Sequence, residues 1–134
     1  MSISKVFYAL IEDKCVVFQE SEFQPNYVIF RGRLRQSAKR CPCCNASKVR
    51  IKETKERTFR MLNLGQRRTY LKLESHKIYC QHCSATTWLQ LPFTSGKLPM
   101  TKSFINYVLQ LTAMTTLLAV ALFLGLQWKT VKSL

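Results

Sequence analysis

Three observations in this sequence predict an α+β fold: two C-x-x-C pairs in strand-and-turn texture, alternating cationic runs between them, and a charge-free C-terminal stretch with helical periodicity. The expected order is a small N-terminal β segment over residues 1–35, a ribbon of β-hairpins with two cysteine knuckles over 36–95, and a helical unit over 100–134. A chain of 134 residues holds one ordinary domain or two or three small modules in series. A module of about 40 residues cannot bury enough apolar surface alone and needs a metal, disulfides or a partner.

From Val6 to Leu34, the apolar runs Cys15-Val16-Val17-Phe18 and Tyr27-Val28-Ile29-Phe30 flank a polar stretch containing Gln24-Pro25-Asn26. That pattern predicts strand, turn, strand. Cys15 has no spaced partner and is expected to act as a small core hydrophobe. In the ribbon, Val49-Arg50-Ile51-Lys52 and Thr69-Tyr70-Leu71-Lys72-Leu73-Glu74 alternate as half-buried strands do, with Arg50, Lys52 and Lys72 on solvated faces. Asn63-Leu64-Gly65-Gln66 between them predicts a turn with Gly65 at positive φ. Leu91 to Pro99, punctuated by Pro92, Gly96 and Pro99, reads as a linker.

Cys41-Pro42-Cys43-Cys44 and Cys80-Gln81-His82-Cys83 each place two thiolates on one tight turn, close enough to share a tetrahedral ion. Their separation exceeds the common spacing of about 15–20 residues and suits an elongated hairpin between the knuckles. Cys41, Cys44, Cys80 and Cys83 are the predicted ligands of one structural zinc ion. Binding would add folding free energy on the order of 10 kcal/mol. A thioredoxin-type redox site would instead show one such motif at a helix start in a βαβ setting. Cys43 is expected to point away. His76 and His82 are spare ligands by position, with a solvated or phosphate-facing role expected of each.

The net charge of +14 is uneven: −2 over residues 1–30, +12 over 31–77 and +4 over 78–134. A block this basic attracts polyanions, nucleic acid foremost. The N-terminus lacks a secretory signal, so a reducing, intracellular setting is expected, where paired cysteines bind metal.

No charge occurs between Lys102 and Lys129. Phe104, Val108 and Leu111 fall at i, i+4 and i+7, which predicts a supporting helix. The uninterrupted apolar run from Leu117 to Leu126 is short for a membrane span and suits a buried helix. Counted from Leu117, Ala121, Gly125 and Val131 occupy the fifth, ninth and fifteenth positions. A helix-turn-helix needs there a small contact residue, a turn glycine and a branched anchor. Thr115 or Thr116 would cap its first helix. Gln127, Trp128 and Lys129 would open a recognition helix that the chain end at Leu134 cuts short, with Lys132 and Ser133 on its exposed side. A transmembrane helix over Phe104–Trp128 stays the alternative, which would make this a membrane-anchored zinc-ribbon protein.

With these residues in place, the chain resembles the N-terminal part of bacterial insertion-sequence transposases of the ISL-three group. Members carry a short β segment, a C-P-x-C … C-x-x-C zinc ribbon, a helix-turn-helix and then a catalytic domain. The matching elements here are Cys41-Pro42-Cys43-Cys44, Cys80-Gln81-His82-Cys83 and the Ala121, Gly125, Val131 pattern. The resemblance implies a zinc-dependent DNA-binding module for insertion-sequence ends. The partner is double-stranded DNA, with a second copy of the chain as a further candidate, in a nucleoid-associated cytoplasmic setting. The family's three metal-holding acids have no counterpart, because Asp13 is the only Asp and the six Glu lie in the N-terminal strands or the basic ribbon. No catalytic residue is expected, so the module would not transpose DNA alone. Arg57, Arg60, Arg67, Arg68 and Lys72 are the expected phosphate contacts from the ribbon. Gln127, Trp128, Lys129 and Lys132 are those expected to approach a groove. An RNA- or protein-binding ribbon would instead use Tyr70, Tyr79 and Trp88 as stacking surfaces, though core positions are expected for them.

Overall fold

The computed structural model describes residues 3–94 and 98–134, and Gly96 of the expected linker lies outside them. In chain order the elements are α1 (Ile3–Ile11), β1 (Val16–Phe23), β2 (Tyr27–Leu34), a 3-10 turn (Gln36–Ala38), β3 (Val49–Leu64), β4 (Arg67–Cys80), β5 (Thr86–Trp88), α2 (Lys102–Thr112), α3 (Leu117–Leu124) and α4 (Trp128–Lys132). The five strands form one mixed sheet in the order β1-β2-β4-β3, with β5 also paired to β4.

The β3–β4 hairpin is the spine of this sheet. Sixteen residues of β3 at strand rise give it a length of roughly 50 Å. At one end Leu64 pairs with Arg67 across a two-residue turn in which Gly65 has φ +61°, as the sequence predicts. At the other end Val49 pairs with Cys80. The second long edge of β4 is shared, since β2 runs parallel to Arg68–Leu73 and β5 antiparallel to Lys77–Tyr79. The segment expected over residues 1–35 and the ribbon therefore contribute to a single sheet.

That segment begins with a helix, where the sequence reading has only strands. Ile3, Phe7 and Ile11 recur every four residues, and α1 turns Phe7 and Ile11 into the core. Phe7 lies 5.3 Å from Phe30 and 5.6 Å from Phe18, centroid to centroid, which closes one face of the sheet with aromatic rings. Cys15 packs half-buried against this core. The stretch read as a linker is also built in: Leu91, Phe93 and Thr94 are buried, and Phe93 meets Phe59 edge-on at 5.3 Å. Punctuation by Pro92 and Pro99 misleads here, because the chain hugs β3, with Arg60 N donating to Pro99 O and Thr101 N to Arg60 O.

The last three helices enclose a second core of Met100, Phe104, Val108, Val120, Ala121, Leu124 and Val131. Thr101 and Thr116 cap α2 and α3, accepting from the N–H of Phe104 and Ala119. The apolar run from Leu117 is only half-buried, contrary to expectation. Leu118, Leu122 and Phe123 face out, because α3 packs on one side alone. Residues 113–116 separate α2 from α3, so the alternative span over Phe104–Trp128 is not one helix. Among the described residues no helix is long and apolar enough to cross a membrane.

Arg60 ties the two cores together. Its guanidinium donates to Asn63 Oδ1 and to Leu124 O, both at 3.0 Å, and lies over the Phe104 and Tyr70 rings at 4.9 and 5.7 Å. Burial disfavours its charge; the two oxygens and the ring faces offset part of that cost, while Nε is buried without a hydrogen-bond partner. Next to it, Gly125 ends α3 at φ +67°, and a Cβ there would run into the Arg68 guanidinium. Gly125→Ala should lower unfolding free energy in urea titrations by about 1–2 kcal/mol from the left-handed backbone, plus a steric loss from the clash with Arg68. Arg68→Ala should relieve only the steric part of this loss, which a double-mutant cycle reads as coupling.

Candidate metal centre

Pairing of Val49 with Cys80 brings the entrance of β3 to the exit of β4, and with it the two knuckles. The knuckles are built alike. In the first, Cys41 N donates to Ala46 O at 3.0 Å while Asn45 sits at φ +61°. In the second, Cys80 N donates to Ala85 O at 2.9 Å while Ser84 sits at φ +59°. The left-handed residue after each pair reverses the chain, so both cysteines of a knuckle face the same point. The shared C-x-x-C-polar-Ala pattern is legible in the sequence as a signal for these two supporting positions, which the search for ligands alone overlooks.

All four sulfurs, of Cys41, Cys44, Cys80 and Cys83, lie within 4.8 Å of one another. Cys41 and Cys83 approach to 3.5 Å across the knuckles, as do Cys44 and Cys80. A zinc ion with bonds of about 2.3 Å sets tetrahedral sulfur–sulfur edges of about 3.8 Å, so the arrangement fits one structural zinc with no open position. Among the described residues this is the one group of three or more His, Cys, Asp or Glu side chains close enough to hold a metal.

Backbone dipoles prepare the site for a cation. The Cys44 N–H lowers the Cys41 thiol to about 6, and the Cys83 N–H lowers Cys80 in the same way. At Cys44 and Cys83 the N–H groups of Ala46 and Ala85 also favour thiolate. Burial and the adjacent sulfurs outweigh them, raising both thiols, Cys83 to about 12. Four sulfurs so close cannot all ionise without a positive charge among them, so metal uptake must release protons.

The other expected residues fall as follows. Cys43 is exposed and outside the cluster. Cys15 is pushed up to about 12 by burial and by Asp13, which leaves it a protonated, unreactive thiol. His82 is exposed, whereas His76 is buried rather than solvated, with its Nδ1 3.0 Å from Thr54 Oγ1 and its pKa lowered by burial. Arg60, expected to face phosphate, is 7% exposed and serves the interior. Arg67 and Arg68 are exposed beside the hairpin turn, with Arg67 Nε donating to Gln24 O at 2.9 Å. Lys72 is half-buried opposite Arg31 on the sheet face, and Arg57 lies over the Phe59 ring at 4.9 Å. Gln127, Trp128, Lys129 and Lys132 are exposed, with Lys132 Nζ 4.9 Å from the Trp128 ring centre. Tyr70 and Tyr79 are half-buried and Trp88 is 37% exposed, so the last is not the core residue expected.

Purified chain should carry one zinc per molecule by elemental mass spectrometry. Cys→Ser at 41, 44, 80 or 83 should abolish this, while Cys15→Ser and Cys43→Ser should leave it intact. Zinc should be lost as pH falls, because protons compete for the thiolates.

Residues 37–83 match the family model described as the zinc-finger of transposase IS204/IS1001/IS1096/IS1165. Neither a curated protein nor a solved structure matches the chain. The matched stretch takes in all four cysteines and the whole β3–β4 hairpin. Residues 37–83 are therefore similar to the zinc ribbon of ISL3-type transposases, and their four cysteines are placed as such a ribbon requires.

Proposed function

We propose that this chain is a zinc-dependent DNA-binding module, without catalytic activity of its own, that recognises insertion-sequence ends. The observation carrying this reading is the four-cysteine cluster at the root of a basic hairpin, within a segment that matches a transposase zinc-finger. The charge supports it, since residues 31–77 hold a net +12. Cations at this density gain affinity for a duplex by releasing its condensed counterions.

In this reading α3 and α4 act as a helix-turn-helix. Buried Ala121 and Val131 flank Gly125, whose left-handed backbone turns the chain between the helices. Gln127, Trp128, Lys129 and Lys132 are exposed at α4 and would approach the major groove. Arg67, Arg68 and Lys72 would hold phosphates from the ribbon, with Arg57 beside them. Arg68 packs on Gly125, which puts the hairpin turn next to the α3–α4 turn and favours simultaneous contact by both. Two copies, one on each end of an element, would place the module in the nucleoid.

Affinity for duplex DNA should fall steeply with salt, by about 0.9 in log K per log salt for each phosphate neutralised. Arg67→Ala should reduce that slope by about 1 and weaken binding to all sequences alike. Lys129→Ala should change the preference among sequences as well. No measurable affinity for any duplex at low salt would reject the proposal.

A further inference from the structure

A cavity of about 680 Å³ lies between β5, the segment that follows it and the start of α2. Arg57, Trp88, Leu89, Gln90, Pro92 and Lys102 line it. Its volume falls in the range of small-molecule sites, and its chemistry is specific. Trp88 contributes an indole that the fold leaves 37% exposed, at the end of a three-residue strand. Leu89, which is buried, adds an apolar part of the lining. Two cations stand at the walls, and no carboxylate is among the lining residues. Arg57 is held in place, with its guanidinium over the Phe59 ring at 4.9 Å and that ring braced edge-on by Phe93 at 5.3 Å. Lys102 is exposed, and its own N–H donates to Phe93 O, so the ammonium stem starts from a fixed point.

We propose that this cavity is a binding site for one unstacked base of single-stranded DNA and its adjoining phosphate. The inference rests on the DNA-binding reading and adds a second kind of contact to it. An aromatic face accepts any base by stacking, but only once that base has left a duplex. The Gln90 amide offers a donor and an acceptor to the base edge. Arg57 and Lys102 supply the charge for the phosphate. The ribbon and α4 would thus grip paired DNA, while the Trp88 cavity receives a strand that is already open.

The test compares a blunt duplex, the same duplex with a single-stranded thymidine tail, an oligothymidylate and thymidine monophosphate. The tail should tighten binding roughly ten-fold and quench tryptophan fluorescence. Trp88→Ala should lose this gain while keeping its zinc and its affinity for the blunt duplex. Trp88→Phe should retain much of the gain without the quench, and Lys102→Ala should reduce it. A protein that binds blunt duplex but gains nothing from the tail overturns the cavity proposal and leaves the duplex reading standing. Quenching by oligothymidylate with no affinity for duplex does the reverse. Equal response to thymidine monophosphate would overturn the strand in favour of a free nucleotide.

Discussion

Four sulfurs converging on one point constrain everything else in this chain. From Arg50 to Glu56 every residue of β3 is exposed, so that half of the strand has no apolar packing of its own. Its ladder with β4 and the cluster at its root are what hold it. With a cation in the cluster, the hairpin is closed at both ends, by metal at the Val49–Cys80 pair and by the Gly65 turn at the other. Without one, a protonated Cys83 beside an ionised Cys41 leaves the two knuckles joined only by a thiol–thiolate contact, far weaker than four metal bonds.

The turn end of the hairpin is fixed by different means. Arg60 is buried without a carboxylate partner; one backbone carbonyl, one side-chain amide oxygen and two ring faces offset part of the cost, and Nε is left unpartnered. One of its acceptors, the Leu124 carbonyl, is 64 residues away in sequence and lies at the end of α3. The helical unit is therefore docked on the ribbon through a charged contact and a short backbone ladder around Arg60 and Met100. The basic hairpin and the helix pair are thereby held in a fixed relation.

Much of this was legible in the sequence, for identifiable reasons. The cysteine pairs announce themselves by spacing, the hairpin by alternation around Tyr70 and Lys72, and the Gly65 turn by its residue type. Each of these signals is local. What escaped is either too short or non-local. Ile3–Ile11 gives two helical turns, too few for its period to stand out beside neighbouring strands. The parallel pairing of β2 with β4 joins segments 41 residues apart at Tyr27 and Arg68, and no local pattern encodes that. Arg60 reads as surface by its charge, and only the packing of Phe104 and Leu124 draws it inside. Trp88 errs the other way: its bulk suggests core, but β5 is too short to cover it.

The measurement that bears most directly on this account is X-ray absorption at the zinc edge of the purified chain. Four sulfur scatterers at about 2.3 Å are predicted, with no nitrogen or oxygen in the inner shell. A mixed sulfur–nitrogen or sulfur–oxygen shell, or a chain that folds with no metal bound, would contradict it.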